Sequence, residues 1–195
     1  MKKAIFIVTI LFVAVISTAC INNMAVQELN NAAKVYMEKG DYDSAIDRLE
    51  SSLELDNNIY ETHYNLGVAY IHAKFYDKAI QELDKAIRLN PKYANTYYTL
   101  AVAQENYADS LLGSSEITAT DDNGNLTVKT ETNDLHKNVS DETKENMLQN
   151  YLDAISNYKK YTDLVNSEQK TEEISSHITE MEKVLTKLGY TGNQY

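Results

Sequence analysis

Tyr60–Tyr93 reads YETHYNLGVAYIHAKFYDKAIQELDKAIRLNPKY. Two helical patterns lie within it, joined by a short link at Phe75-Tyr76. In the first, Leu66, Gly67 and Tyr70 face the partner helix. In the second, Ala79, Ile80, Leu83, Ala86 and Ile87 form the answering stripe. Small residues at Gly67, Ala79 and Ala86 let the two backbones approach closely. Pro91 has no amide hydrogen and cannot continue the second helix, so it ends the unit.

The pattern is found again 34 residues earlier, from Val26 to Ile59, and its first half 34 residues later, from Ala94. Two helices repeating at this period mark a helical solenoid. Leu29, Ala32, Ala33 and Tyr36 share a face of the earlier first helix. Gly40-Asp41 supplies its turn, since glycine accepts the left-handed conformation that ends helices. Ala45, Ile46, Leu49 and Leu53 point inward from the second helix, and Asn57-Asn58 closes the unit. The third unit has Tyr97, Leu100, Ala101 and Ala108 on its first helix. Its second helix is delayed to about Asp141–Leu164, where Tyr151, Ala154, Ile155 and Tyr158 fit the second half of the pattern, with Ser140 as N-cap.

These residues resemble the tetratricopeptide repeat, with His63 where that family often has Trp, Asn57 at the proline place and Ser52 at a small-alanine place of the earlier copy. The resemblance implies an all-α, right-handed α-solenoid of about three helix pairs, to which the residues themselves add a C-terminal capping helix and a β-hairpin insertion inside the third repeat. The expected units are 26–59, 60–93 and 94–166, the last split by an insertion at 113–139. Residues 167–195 form the cap, whose helix carries Ile174, Ile178, Met181, Val184, Leu185 and Leu188 as one stripe before Gly189.

Within the insertion, Asn123-Gly124 is a strong hairpin signal. A two-residue turn there pairs Ala119 with Val128 and Asp121 with Leu126. Ile117, Ala119, Leu126 and Val128 then share one face, which predicts a hairpin serving as a specificity element or lid. Thr132–Val139 reads as linker.

The first residues have the layout of a bacterial secretory signal: Lys2-Lys3, an apolar run from Ala4 to Ile16, then Ser17-Thr18-Ala19-Cys20. The last four resemble a lipoprotein lipobox, although Ser17 stands where Leu is usual. Residues 1–19 are therefore expected to be a signal peptide, Cys20 the lipidated first residue and 20–25 a short tether. This predicts export and anchoring to a bacterial membrane, with a secreted or periplasmic soluble protein as the alternative. Cys20 is the only cysteine, so no intramolecular disulfide can form. The net charge of −11 argues against nucleic acid as a partner, because neutralising phosphates needs basic patches.

No chemistry stands out. His63 and His72 fall on opposite sides of one helix. Glu173, His177 and Glu180 could face one ion, but surface helices carry such triplets often. Asp121, Asn123 and Asn125 begin like a calcium loop, yet Leu126 and Thr132 occupy the places that need Gly and Glu. There is no phosphate-binding glycine loop, nucleophile elbow or spare thiol. The sequence predicts no enzyme activity, no metal and no cofactor.

A surface for work does appear. Beyond the core stripe, Tyr64, Val68 and Ile71 recur on the first helix of the second repeat. Their equivalents are Asn30, Lys34 and Met37 in the first repeat and Tyr98, Val102 and Glu105 in the third. In the resembled family the first helices line a concave face where peptides or proteins bind, which makes these nine residues the expected partner site. Tyrosine offers a large ring and a polar tip at low entropic cost. Basic residues are absent at Asn95 and Thr99, which argues against a carboxylate clamp. The expected function is a membrane-anchored adaptor or scaffold for a peptide or envelope protein. The alternative is an obligate structural subunit of a cell-envelope assembly.

Overall fold

A computed structural model describes residues 23–111, 117–120, 126–128, 140–165 and 167–190. The signal sequence and Cys20 lie outside the described residues. Helix α1 covers residues 23–38, followed by α2 (Tyr42–Leu55), α3 (Tyr60–His72), α4 (Tyr76–Leu89) and α5 (Ala94–Leu111). Strands β1 (Ile117–Thr120) and β2 (Leu126–Val128) precede α6 (Asp141–Leu164) and α7 (Glu168–Lys187).

The turns repeat as faithfully as the helices. Gly40 ends α1 with φ 74°, and Asp41 N–H reaches back to the Tyr36 carbonyl. Thirty-four residues on, Lys74 ends α3 with φ 64°, and Phe75 N–H bonds the Tyr70 carbonyl. Both are left-handed helix terminations, but lysine bears the steric cost that glycine avoids. Asp41 then caps α2 by accepting from Ser44 N–H at 3.1 Å. Ser140 caps α6 by accepting from Thr143 N–H at 3.2 Å, as its place in the sequence predicts.

From α2 onward each helix packs on the next, and α3 also packs directly on α5, whereas α2–α4 and α4–α6 make no comparable contact. The first helices of the repeats therefore line the tighter side of the stack. Ala45, Leu49, Leu66, Ala69, Ala79, Leu83, Leu100 and Ala103 form one continuous core through the first two and a half repeats. Gly67 makes this possible: a Cβ there would lie 2.5 Å from Leu83 Cγ. A second cluster joins Val102, Ala108, Met147, Tyr151, Ala154 and Tyr158 to Ile178, Met181 and Leu185 of α7.

The backbone hydrogen-bonding groups between repeats are tied by the same device twice. His63 Nε2 donates to the Asn57 carbonyl at 2.9 Å. Tyr97 Oη, 34 positions later, donates to the Pro91 carbonyl at 3.1 Å. In each case the first helix of a repeat closes the loop that precedes it, filling a carbonyl left open at a helix end.

The insertion corrects the fold-class expectation. The hairpin expected from Asn123-Gly124, with its continuous apolar face, is not borne out by the strand register. Among the described residues the strand pairing is one short antiparallel contact, with Ile117 opposite Val128, Thr118 opposite Thr127 and Thr120 opposite Leu126. That register differs from the expected pairing of Ala119 with Val128 and Asp121 with Leu126, and residues 121–125, with the Asn123-Gly124 turn, lie outside the described residues. The ladder is irregular between Thr118 and Thr120, which sets Leu126 across from Thr120 and breaks the expected apolar row. Strands of four and three residues have no third strand to pin their register. Among the described residues the body of the protein is a stack of seven helices, and this short, irregular strand contact does not make the expected hairpin lid.

Candidate ligand groove

The nine expected groove residues divide sharply. Lys34 is exposed on α1, and Met37, Tyr64 and Val68 are half-buried, each with surface left open. Tyr64 packs edge-to-face on Tyr93, with ring centroids 5.4 Å apart, and Tyr93 packs likewise on Tyr60. This row fixes the ring of Tyr64 as a firm wall, and burial holds its hydroxyl above the usual phenol range.

The other residues serve the fold. Asn30 Nδ2 reaches the Val26 carbonyl at 2.9 Å, Ser52 Oγ at 2.8 Å and Thr62 Oγ1 at 3.0 Å, knotting α1, α2 and α3 together. Ile71 is 3% exposed and belongs to the first core cluster.

The third-repeat row is covered by the chain itself. Tyr98 packs against Tyr158 and Tyr161 of α6, with centroids 5.6 and 5.3 Å away. Val102 is 2% exposed in the second cluster. Glu105 is 4% exposed, accepting from Tyr158 Oη at 3.0 Å and lying 2.9 Å from His177 Nε2 of α7. In the second repeat the partner helix is met by Leu66, Gly67 and Tyr70. In the third, α6 lies instead on the row equivalent to Tyr64, Val68 and Ile71. Of the expected row, the part on α1 and α3 therefore keeps open surface, and the part on α5 is covered by α6 and α7.

A scan of family models matches residues 36–105 to the tetratricopeptide repeat. Tetratricopeptide repeats form this segment. The first TPR of Spaghetti (RPAP3), bound to HSP90 peptide SRMEEVD, is similar in structure at 17% identity, covering 84% of this chain and 94% of that one, with TM-score 0.56. The second TPR domain of human RPAP3, in complex with HSP70 peptide SGPTIEEVD, gives 12% identity, 83% and 98% coverage, and TM-score 0.56. The Yersinia enterocolitica type III secretion chaperone SycD, in complex with a peptide of the translocator YopD, gives 13%, 84% and 94%, and TM-score 0.52. At these identities the likeness is one of fold. No curated protein matches the sequence of this chain.

Running from the end of the matched segment into the helices beyond it lies a polar cluster that sequence reasoning missed. Asp109 on α5 accepts a very short hydrogen bond from Tyr151 Oη, and Asn157 Nδ2 donates to Gln104 Oε1 at 2.9 Å. Burial raises the Asp109 carboxyl to about 6, against the Tyr151 bond and with help from the Glu105 charge. The hydrogen bond to Glu105 raises His177, outweighing burial. Burial first, then Glu105, pushes Tyr158 far above the usual phenol range.

The sequence placed His177 with Glu173 and Glu180 on a surface helix, but the structure turns its ring onto Glu105. Acidic and hydrogen-bonding residues on an otherwise apolar row were the available signal. Among the described residues no group of three or more His, Cys, Asp or Glu could hold a metal ion. His63 sits buried between the Asn57 carbonyl and Glu82, with Nδ1 2.7 Å from the carboxylate. His72 stacks on Tyr42, with centroids 4.5 Å apart. Among the described residues no helix is long and apolar enough to cross a membrane.

Proposed function

We propose that this chain is an exported adaptor, anchored to a bacterial membrane by lipid on Cys20, that binds an extended peptide or a segment of another envelope protein along α1 and α3. The observation that carries the binding reading is the open row Lys34, Met37, Tyr64 and Val68 on adjacent first helices, beside a third row already filled by α6 and α7. Met37, Val68 and the Tyr64 ring supply apolar contact, and Lys34 supplies one positive charge. Solved structures of the same fold carry bound peptides, which supports this reading. The anchor is supported by the order Lys2-Lys3, apolar run and Ser17-Thr18-Ala19-Cys20.

Two experiments test the proposal. Crosslinking in intact cells, read by mass spectrometry, should capture a partner with the wild type and lose it with Lys34→Glu/Val68→Glu, while helicity and melting temperature are kept. Equal capture would remove the groove. Labelled palmitate should enter the wild type and not Cys20→Ser. Equal labelling, or none in either, would remove the lipid anchor.

A further inference from the structure

Neighbouring helices of the stack run in opposite directions, so their ends form two edges. The turns at Gly40 and Lys74 lie on one edge. The start of α1 and the loops after α2 and α4 therefore lie on the other, where the Tyr60 and Tyr93 rings meet with centroids 5.5 Å apart. Contacts of α6 on α5 run from Asp109–Tyr151 through Glu105–Tyr158 to Tyr98–Tyr161, which brings the end of α6 to this second edge as well. Helices α2, α4 and α6 each end there on a leucine: Leu55, Leu89 and Leu164 are 40%, 40% and 37% exposed. Met24, in the first turn of α1, is 72% exposed.

The fold does not call for these side chains. None of the four belongs to either core cluster. A cation suits the end of a helix, yet the last turns of α2 and α6 hold no basic residue and finish on leucine. Single exposed leucines are ordinary on a protein surface, but these share one edge. Towards the opposite edge the exposed Phe75 ring is already occupied: it meets Tyr70 edge-on, and Lys78 Nζ lies 5.3 Å from its centroid. The loops carry little charge. Among residues 56–59, 90–93 and 165–167 the charged ones are Asp56 and Lys92, which cancel, in a chain of net charge −11.

We propose that this edge rests on the headgroup layer of a zwitterionic phospholipid bilayer, with the helices standing upright on it. The inference rests on the proposed anchor at Cys20 and adds an orientation to it. Two residues, 21 and 22, separate Cys20 from the start of α1 at residue 23, and three steps of extended chain span about 10 Å. An anchored Cys20 therefore holds Met24 and its edge against the bilayer. The opposite edge stands off by the length of α1, about 24 Å at 1.5 Å per residue. Contacts this small are too weak to recruit a free protein, but a short tether makes them intramolecular and raises their effective concentration. Met24 and the leucines meet the interface, and the part-exposed rings of Tyr60 and Tyr93 suit headgroup depth, where the phenol tip stays wet. Within two positions of the helix ends, the exposed acids Glu54, Glu61, Asp163 and Glu168 outnumber the exposed cations Arg88 and Lys92. That balance keeps the contact shallow and disfavours an anionic surface. The open row on α1 and α3 then faces along the membrane.

The test uses the protein as bacteria make it, recovered from the membrane fraction and returned to vesicles of phosphatidylcholine and phosphatidylethanolamine. Hydrogen exchange is read on residues 54–60 and 88–95 of this edge, and on residues 38–42 and 73–78 of the other. Leu55→Gln/Leu89→Gln/Leu164→Gln removes apolar contact without adding charge. After correction for sequence, the wild-type edge should exchange roughly threefold more slowly than the variant's, the effect of covering the exposed part of one leucine. Exchange at the other edge should be the same in both, which also shows that the variant folds. Equal exchange at residues 54–60 and 88–95 in the two proteins would overturn the orientation and leave the anchor standing. A wild type absent from the membrane fraction would remove the anchor, and the orientation with it.

Discussion

His177 on α7 and Glu105 on α5 stand 72 residues apart in the chain, yet Nε2 of one lies 2.9 Å from Oε2 of the other. The pair has a thermodynamic sign. A histidine raised in the folded state adds stability that is present below its unfolded value and lost as pH rises through its folded value. Asp109, raised from 3.8 to about 6, acts in the same direction: its contribution is complete below pH 3.8 and lost as pH rises to about 6. His72, lowered by burial, acts in the opposite direction. Urea denaturation midpoints should therefore separate wild type from Asp109→Asn most clearly between about pH 4 and 6, where the variant's curve lacks one falling contribution. Parallel curves would show that Asp109 titrates alike folded and unfolded.

Lys74 occupies the left-handed position that Gly40 fills one repeat earlier, with φ 64° against 74°. A non-glycine residue in that conformation costs about 1–2 kcal/mol. Lys74→Gly should raise the unfolding free energy by about 1 kcal/mol, less what the more flexible unfolded chain takes back. Lys74 Nζ is not held by any ion pair among the described residues. A loss of stability in chemical denaturation would contradict this account of the turn.

At Gly67 the prediction runs the other way. An added Cβ would meet Leu83 Cγ at 2.5 Å and Cδ2 at 2.8 Å, in a core where Leu83 is fully buried. Gly67→Ala should cost about 1–3 kcal/mol through overpacking, even though alanine is the better helix former. Thermal melting decides it, and a raised midpoint would show that α3 and α4 can move apart freely.

Asn30 tests the division between fold and groove. Its amide reaches Ser52 and Thr62 on two other helices, so Asn30→Ala leaves both hydroxyls short of a partner. The expected loss is about 1–3 kcal/mol of stability, read by urea denaturation, with ligand capture unchanged once the protein is folded. A variant of normal stability that fails to bind would return Asn30 to the groove.

Much of the stack was legible because its information is local and repeated. Leu66, Gly67, Tyr70, Ala79, Leu83 and Ala86 recur in register, and neighbouring helices in sequence pack on one another, so periodicity carries the architecture. The turn at Lys74 was not legible, because lysine gives no sign of a left-handed conformation. The pairing of Ile117 with Val128 was missed because Asn123-Gly124 signals a turn without fixing the register of the strands on either side. The exposure of the nine expected residues was half legible. Lys34, Met37, Tyr64 and Val68 stay open, but the fate of Tyr98, Val102 and Glu105 depends on where α6 lies after a long insertion. No residue on α5 states that offset, and only Glu105, an acid on an apolar row, hinted at a buried partner.

The most direct test of the central claim is site-specific photocrosslinking in intact cells. A photoreactive residue at Val68, on the open face of α3, is compared with one at Gln81, exposed on α4. The account predicts a discrete adduct from Val68, removed by Lys34→Glu, and none from Gln81. An adduct from Gln81 with none from Val68 would place the working surface on the second helices and contradict the groove.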